Sequence, residues 1–196
     1  MRPLYSTDAV AAALYWMVII VWIVSEATAF FRGVTIAPDR RKDRSSGPVL
    51  IGFLLLAVWL GSVLASLVPG AAMSSARPVV FIFGLLVAFA GIALRQYAIA
   101  SLGPFFTVRV MTRPDQTVVE KGPYRYVRHP SYTGSLLTVL GVLLCSTNWL
   151  ALACFVLALP GFLYRIRVEE RALIEALGEP YLAYMARTKR LVPFVV

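Results

Sequence analysis

The sequence offers little to soluble chemistry. Its 196 residues include one histidine, two cysteines and 10 acidic side chains. Charged residues make up 15% of the chain against 59% hydrophobic, which excludes a soluble domain of this length, because its surface could not be given polar cover. The cysteines, Cys145 and Cys154, stand in apolar runs with no CxxC and no nearby histidine. They read as membrane packing, and neither a disulfide nor a metal site is expected. No basic stripe with interleaved aromatics appears, so the net charge of +9 does not argue for nucleic acid. The first apolar run lacks a small-residue cleavage site and is expected to remain as a span rather than be removed as a signal peptide.

What is present is a series of apolar runs. They cover Ala9 to Phe31, Pro48 to Val68, Val79 to about Ala100, Thr133 to Ser146, and Trp149 to Tyr164. The first is long enough to cross a bilayer core, which needs roughly 20 helical residues. The last two are short and divided by Thr147-Asn148. They read as an antiparallel helical hairpin whose helices continue past the apolar runs, with polar ends that line a site.

Basic residues separate these runs. Sixteen of the 19 fall in three segments: the loop from Arg32 to Arg44, the loop from Arg109 to Arg128, and the tail from Arg165 onward. The positive-inside rule then orients the chain with its N-terminus outside and its C-terminus in the cytoplasm. The expectation is an all-α membrane protein, one integral membrane domain over residues 1–196, with five transmembrane helices. Residues 1–100 form a three-helix scaffold, and the chemistry lies in 101–196. The pocket is expected at the cytoplasmic face, between the 101–130 loop, the last hairpin and the tail helices.

Two stretches carry that chemistry. Lys121 to Gly134 reads KGPYRYVRHPSYTG and holds the single histidine, His129, at the mouth of the fourth helix. Pro130 suits the first turn of that helix, where its missing N–H would have had no partner, and the positive N-terminal end can receive an anionic group. The second stretch, from Tyr164 on, reads YRIRVEERALIEALGEPYLAYM. Arg165 and Glu169 are four apart and share a helix face. That is either an ordinary ion pair worth a few tenths of a kcal/mol or, facing the bundle interior, a functional pair. Gly178 is expected to end this helix and Pro180 to begin another. Glu26, an acid inside the first helix, is either a functional candidate or, near enough to Arg32, a solvated helix end. Tyr181 and Tyr184 read as packing for the tail helix, and Arg125 and Arg128 as topology determinants or more.

The two stretches, in this order around a helical hairpin, resemble the isoprenylcysteine carboxyl methyltransferase family of integral membrane methyltransferases, to which phospholipid methyltransferases are related. The resemblance covers roughly Leu102 to Pro193. It implies S-adenosyl-L-methionine as cofactor and a methyltransferase-like catalytic region over 101–196. Gln116, Thr117, Val118 and Val119 match the family's segment before the motif, which contacts the cofactor. Tyr124, His129, Pro130, Ser131 and Tyr132 match its Tyr and HPxY contacts. Glu169 matches a cofactor-contacting glutamate, and Arg165 an arginine that bears on the acceptor substrate; these two are the catalytic pair that the resemblance implies. Nothing transfers onto Arg109.

Methyl transfer from a sulfonium needs alignment more than a strong acid or base. Arg165 suits an acceptor carboxylate as a fixed cation. The acceptor is expected to be lipophilic, a small molecule or a lipid-modified substrate reached from the surrounding membrane lipids, with a prenylcysteine carboxylate by family analogy; other O, S or N acceptors, such as phenols, thiols, alkylpyrone-like lipids and phospholipid amines, stay open. Two other functions remain at this point: an NADPH-dependent membrane reductase of the sterol-reductase type, which shares an RHP-type motif, and a non-catalytic membrane scaffold.

Overall fold

The apolar runs wind into long helices, because lipid leaves every backbone N–H and C=O to be satisfied within its own segment. In the computed structural model, which describes residues 1–34, 45–73, 76–108, 110 and 116–192, these helices are α1 (Ala9–Val34), α2 (Ser46–Leu67), α3 (Arg77–Leu102) and α4 (Pro130–Cys145). A rod follows, made of α5 (Trp149–Ala153), a 3-10 segment (Cys154–Ala158) and α6 (Leu159–Leu177), and then α7 (Glu179–Arg187). Among the described residues there is no strand beyond two isolated bridges, Ala72 with Asn148 and Val127 with Lys189. Arg40, Arg41, Lys42, Arg44, Arg109 and Arg113, part of the charge pattern above, lie outside the described residues.

Local signals set the ends of these elements. The Asp8 carboxylate accepts from Ala11 N–H at 2.7 Å and caps α1. Thr147 takes a positive φ of 47°, and Asn148 Oδ1 accepts from Leu150 N–H and Ala151 N–H to start α5. The Asn148 amide also donates to Val68 O at 3.0 Å, which ties the hairpin turn to the end of α2. Gly178, at φ 58°, ends α6, and α7 begins with Pro180 in its first turn.

Among the described residues, four segments are long and apolar enough to cross a membrane: Ala9–Gly33, Ser46–Leu67, Arg77–Phe105 and Trp149–Leu177. The last of them extends well beyond its apolar run, as expected for a helix with a polar end. α4 has 16 residues, or about 24 Å of helix, against a hydrocarbon core of about 30 Å. The expected five spans thus divide into four full-length candidates and one shorter apolar helix.

α3 and α4 pack most closely. A Cβ added at Gly91 would lie 2.5 Å from Thr138 N, and one at Gly134 would lie 2.7 Å from Arg95 N. Backbone rather than flexible side chain meets the added carbon, so the helices must part to accept it. Gly91→Ala is expected to cost about 1–3 kcal/mol. Thermal unfolding in detergent checks this, with Gly52→Ala as a neutral control, since nothing lies within 4 Å of a Cβ at Gly52.

α2 packs along the rod, where Gly161 admits Leu50 and Phe53, while α1 packs on α3. The C-terminal half of α1 and the N-terminal half of α2 therefore stand on different partners and flank a cavity between them.

Candidate functional site

The cavity has a volume of about 820 Å³, near the top of the range of ligand pockets. At one end it is lined by Gln116, Thr117, Val118, Val119, Tyr124, His129, Ser131, Tyr132, Arg165 and Glu169. Every site residue expected from the sequence is in that set except Pro130. Pro130 is fully buried in the first turn of α4 and does not line the cavity, so its part is to start the helix that carries Ser131 and Tyr132. The other end is apolar, with Ile19, Trp22, Leu50, Leu54, Val58 and Phe162.

α6 supplies Arg165 and Glu169 to one wall, and α4 places Tyr132 between them. The Tyr132 hydroxyl donates to Glu169 Oε2 at 2.7 Å and accepts from Arg165 Nε at 3.2 Å. Arg165 also donates to Ser46 Oγ and to Val108 O, each at 2.7 Å. One guanidinium thus joins the start of α2, the loop after α3 and the hairpin. Fork geometry of this kind is what arginine provides and lysine lacks. The helix pair foreseen for Arg165 and Glu169 is in fact a shared link through Tyr132. Glu169 is about a third exposed, and the exposed part faces the cavity.

His129 stacks on Tyr132, with ring centroids 5.6 Å apart and planes at 18°. Its Nδ1 is 3.8 Å from Glu169 Oε2, and its Nε2 is 3.4 Å from Glu170 Oε1. Glu170 is buried and also receives Arg128 Nε at 3.0 Å and Arg190 Nη2 at 2.8 Å. Reading the sequence stressed Glu169 and passed over Glu170. The signal available was the doublet itself: on a helix, adjacent residues point about 100° apart, so one can face a cavity while its neighbour faces the protein.

The tail completes the wall. Arg128 N–H donates to Lys189 O at 2.8 Å, His129 N–H donates to Arg190 O at 2.9 Å, and the Thr133 hydroxyl donates to Leu191 O at 2.8 Å. Arg128 Nη1 reaches Met185 O and Thr188 O, so this residue is a structural anchor as well as a loop cation. The Tyr184 hydroxyl donates to Tyr124 O at 2.7 Å, and both tyrosines line the cavity. Burial pushes the Tyr184 hydroxyl up to about 12, and burial together with the Glu169 charge pushes that of Tyr124 up as well. Both stay protonated at neutral pH, so neither is a base.

Glu26 is not a solvated helix end beside Arg32. Its Oε1 is 2.5 Å from Arg95 Nε and its Oε2 accepts from Arg95 Nη2 at 2.7 Å, across α1 and α3. Arg95 lies outside the three basic segments marked by the sequence. Among the described residues no group of histidines, cysteines and acids could hold a metal ion.

Comparison with known proteins agrees with the motifs. Residues 82–175 match the isoprenylcysteine carboxyl methyltransferase family. Protein-S-isoprenylcysteine O-methyltransferase B of Arabidopsis thaliana is 36% identical over 117 residues, which cover 58% of this chain and 59% of that protein. The protein-S-isoprenylcysteine O-methyltransferase of Saccharomyces cerevisiae is 34% identical over 117 residues, covering 58% of this chain and 49% of that protein. The chain thus spans between about half and three-fifths of the length of these curated relatives. In three dimensions it matches a eukaryotic intramembrane Ras methyltransferase, an isoprenylcysteine carboxyl methyltransferase, with a TM-score of 0.69 and 20% identity, over 98% of this chain and 70% of that one. The fold is that of this membrane protein, and the resemblance read from the two motifs is borne out.

Proposed function

We propose, from the family likeness of residues 82–175, that this chain is an S-adenosylmethionine-dependent membrane methyltransferase acting on a lipophilic acceptor, with a prenylcysteine-type carboxylate as the leading candidate. The observation that carries this reading is the two-ended cavity: the residues of both motifs meet at its polar end, and an apolar slot between α1 and α2 continues from them. A volume of about 820 Å³ has room for a nucleoside cofactor and an acceptor together.

The residues present fit the cofactor. Glu169 offers a carboxylate to ribose hydroxyls or an ammonium, His129 a ring nitrogen, and the start of α4 a positive helix end for a carboxylate. Gln116 to Val119 and Tyr124 complete its wall. Bound there, S-adenosylmethionine supplies a sulfonium methyl, whose displacement by a carboxylate oxygen requires alignment and no base. Arg165 holds the acceptor's carboxylate near that methyl, and Tyr132 fixes the spacing of Arg165 from Glu169. Ile23, Phe30, Ile51 and Leu55 line the slot and are themselves exposed on α1 and α2, so an apolar acceptor enters sideways from lipid.

In this reading the N-terminus lies outside, the tail is cytoplasmic, α4 with the last rod forms the final hairpin of five, and the cofactor enters from the cytosol. The catalytic region is 101–196 on a scaffold of 1–100. The NADPH reductase is the weaker reading. The likeness of residues 82–175 and of the curated relatives is to methyltransferases, and nothing in it favours a reductase. Titration calorimetry on the purified protein tests the choice. S-adenosylhomocysteine is expected to bind in the micromolar range and NADPH not to bind; the reverse outcome, or no binding of either, overturns the proposal.

A further inference from the structure

One charged group on the acceptor wall takes no part in the reading above. The face of α1 that lines the cavity carries Ile19, Trp22, Ile23, Ala27 and Phe30, and a single carboxylate, Glu26. Arg95 balances it from α3, with Nε 2.5 Å from Oε1 and Nη2 2.7 Å from Oε2. The third nitrogen, Arg95 Nη1, donates to Ser131 Oγ at 2.8 Å, on the cofactor wall. The Glu26 side chain is 38% exposed and that of Arg95 14%.

A purely structural tie between α1 and α3 does not require this pair. Gln96 Nε2 donates to Ser25 O at 3.1 Å, joining the same helices one residue away on each. An ion pair among apolar helices carries a desolvation cost that apolar residues avoid, and ionisable residues inside membrane helices usually serve a pathway or a site. A carboxylate offers about four acceptor positions. Arg95 Nη2 occupies one on Oε2, and Nε stands against Oε1 as an ion-pair contact without a hydrogen bond, so both oxygens keep a position for another donor, and the exposed edge lies along the cavity.

We propose, on the basis of the acceptor reading above, that Glu26 accepts a hydrogen bond from an N–H in the acceptor's head group, and that Arg95 positions it while fixing Ser131. A carboxylate paired with a guanidinium offers its oxygens only as acceptors. It therefore selects a donor and repels a second carboxylate. With Arg165 serving the carboxylate of the prenylcysteine-type acceptor already proposed, what Glu26 adds is a preference for the N–H beside that carboxylate.

Steady-state methyl transfer with three probes tests this: an S-prenylated N-acetylcysteine, its N-methyl counterpart, and the S-prenylated mercapto acid without nitrogen. The wild type is expected to favour the N–H probe by about tenfold in KM over the other two, with similar kcat, as for binding made equally in ground and transition states. Glu26→Gln is expected to shrink that ratio, and Glu26→Leu combined with Arg95→Met to abolish it. The ratio between probes is independent of how much protein folds. An unchanged ratio in both variants overturns the proposal, as does a wild type indifferent to the N–H. If the wild type binds S-adenosylhomocysteine but methylates no probe, the acceptor reading falls and this proposal with it, while the cofactor reading stands.

Discussion

Arg165→Ala is expected to lower kcat/KM for the lipophilic acceptor by at least about a hundredfold, in a membrane assay with labelled S-adenosylmethionine. The size follows from what the residue holds. Its guanidinium joins Ser46, Val108 and Tyr132 from three separate parts of the chain, and it stands 5% exposed at the wall of the cavity. Losing it removes the cation proposed for the acceptor carboxylate and leaves buried acceptors without their donor, each worth about 1–3 kcal/mol. Arg165→Lys is expected to recover little, because an ammonium cannot reach three acceptors in the directions a planar fork does. The effect should fall on the acceptor more than on the cofactor, with affinity for S-adenosylhomocysteine changing only a few fold. A variant that labels the same product at the wild-type rate would remove Arg165 from the mechanism.

Glu170→Ala should be the most damaging single change to stability among the acidic residues described. Glu170 takes Arg128, Arg190 and His129 on one buried carboxylate, and the Arg128 side chain is only 8% exposed. Truncation leaves that cation buried without its anion, a loss of about 3–5 kcal/mol. Unfolding in detergent should shift down by roughly 10 °C on this account. The contrast is Glu120, whose pair with Arg187 at 2.5 Å has both side chains about half exposed. Glu120→Gln should change stability by less than about 1 kcal/mol, since surface pairs are solvated and screened. Equal losses from the two variants would show that the tail is not held by Glu170.

These two residues also mark how far the sequence could be read. Helix positions and ends were legible because their signals are local: the apolar runs, Thr147-Asn148 at the hairpin turn, Gly178 at the end of α6. The N-cap at Asp8 was of the same kind and went unnoticed. Gln116 to Val119 have no periodicity that marks them as cavity lining, and only family resemblance brought them forward. Contacts between distant segments left no local trace. Glu26 and Arg95 are 69 positions apart, and nothing around either names the other, so along the sequence only Arg32 stood out near Glu26. Glu170 was missed for a different reason. Its partners come from two directions, the motif loop and the tail, and a carboxylate that gathers cations from separate segments cannot be seen along one helix face. Pro130 was assigned to a ligand through its neighbours in the motif, when its own chemistry had already given it the task of starting a helix.

The strap formed by Lys189, Arg190 and Leu191 has a consequence for the order in which the molecule assembles. These residues follow every described helix, yet the backbone N–H groups of Arg128 and His129 and the Thr133 hydroxyl find their partners on them. During synthesis, when folding proceeds from the N-terminal end, all the membrane helices can be inserted and packed before the wall around His129 is finished. A stalled or shortened chain would then sit in the membrane as a stable bundle with an unformed polar end. Insertion and competence then become separate events, and the second waits for residues 189–191 to be made.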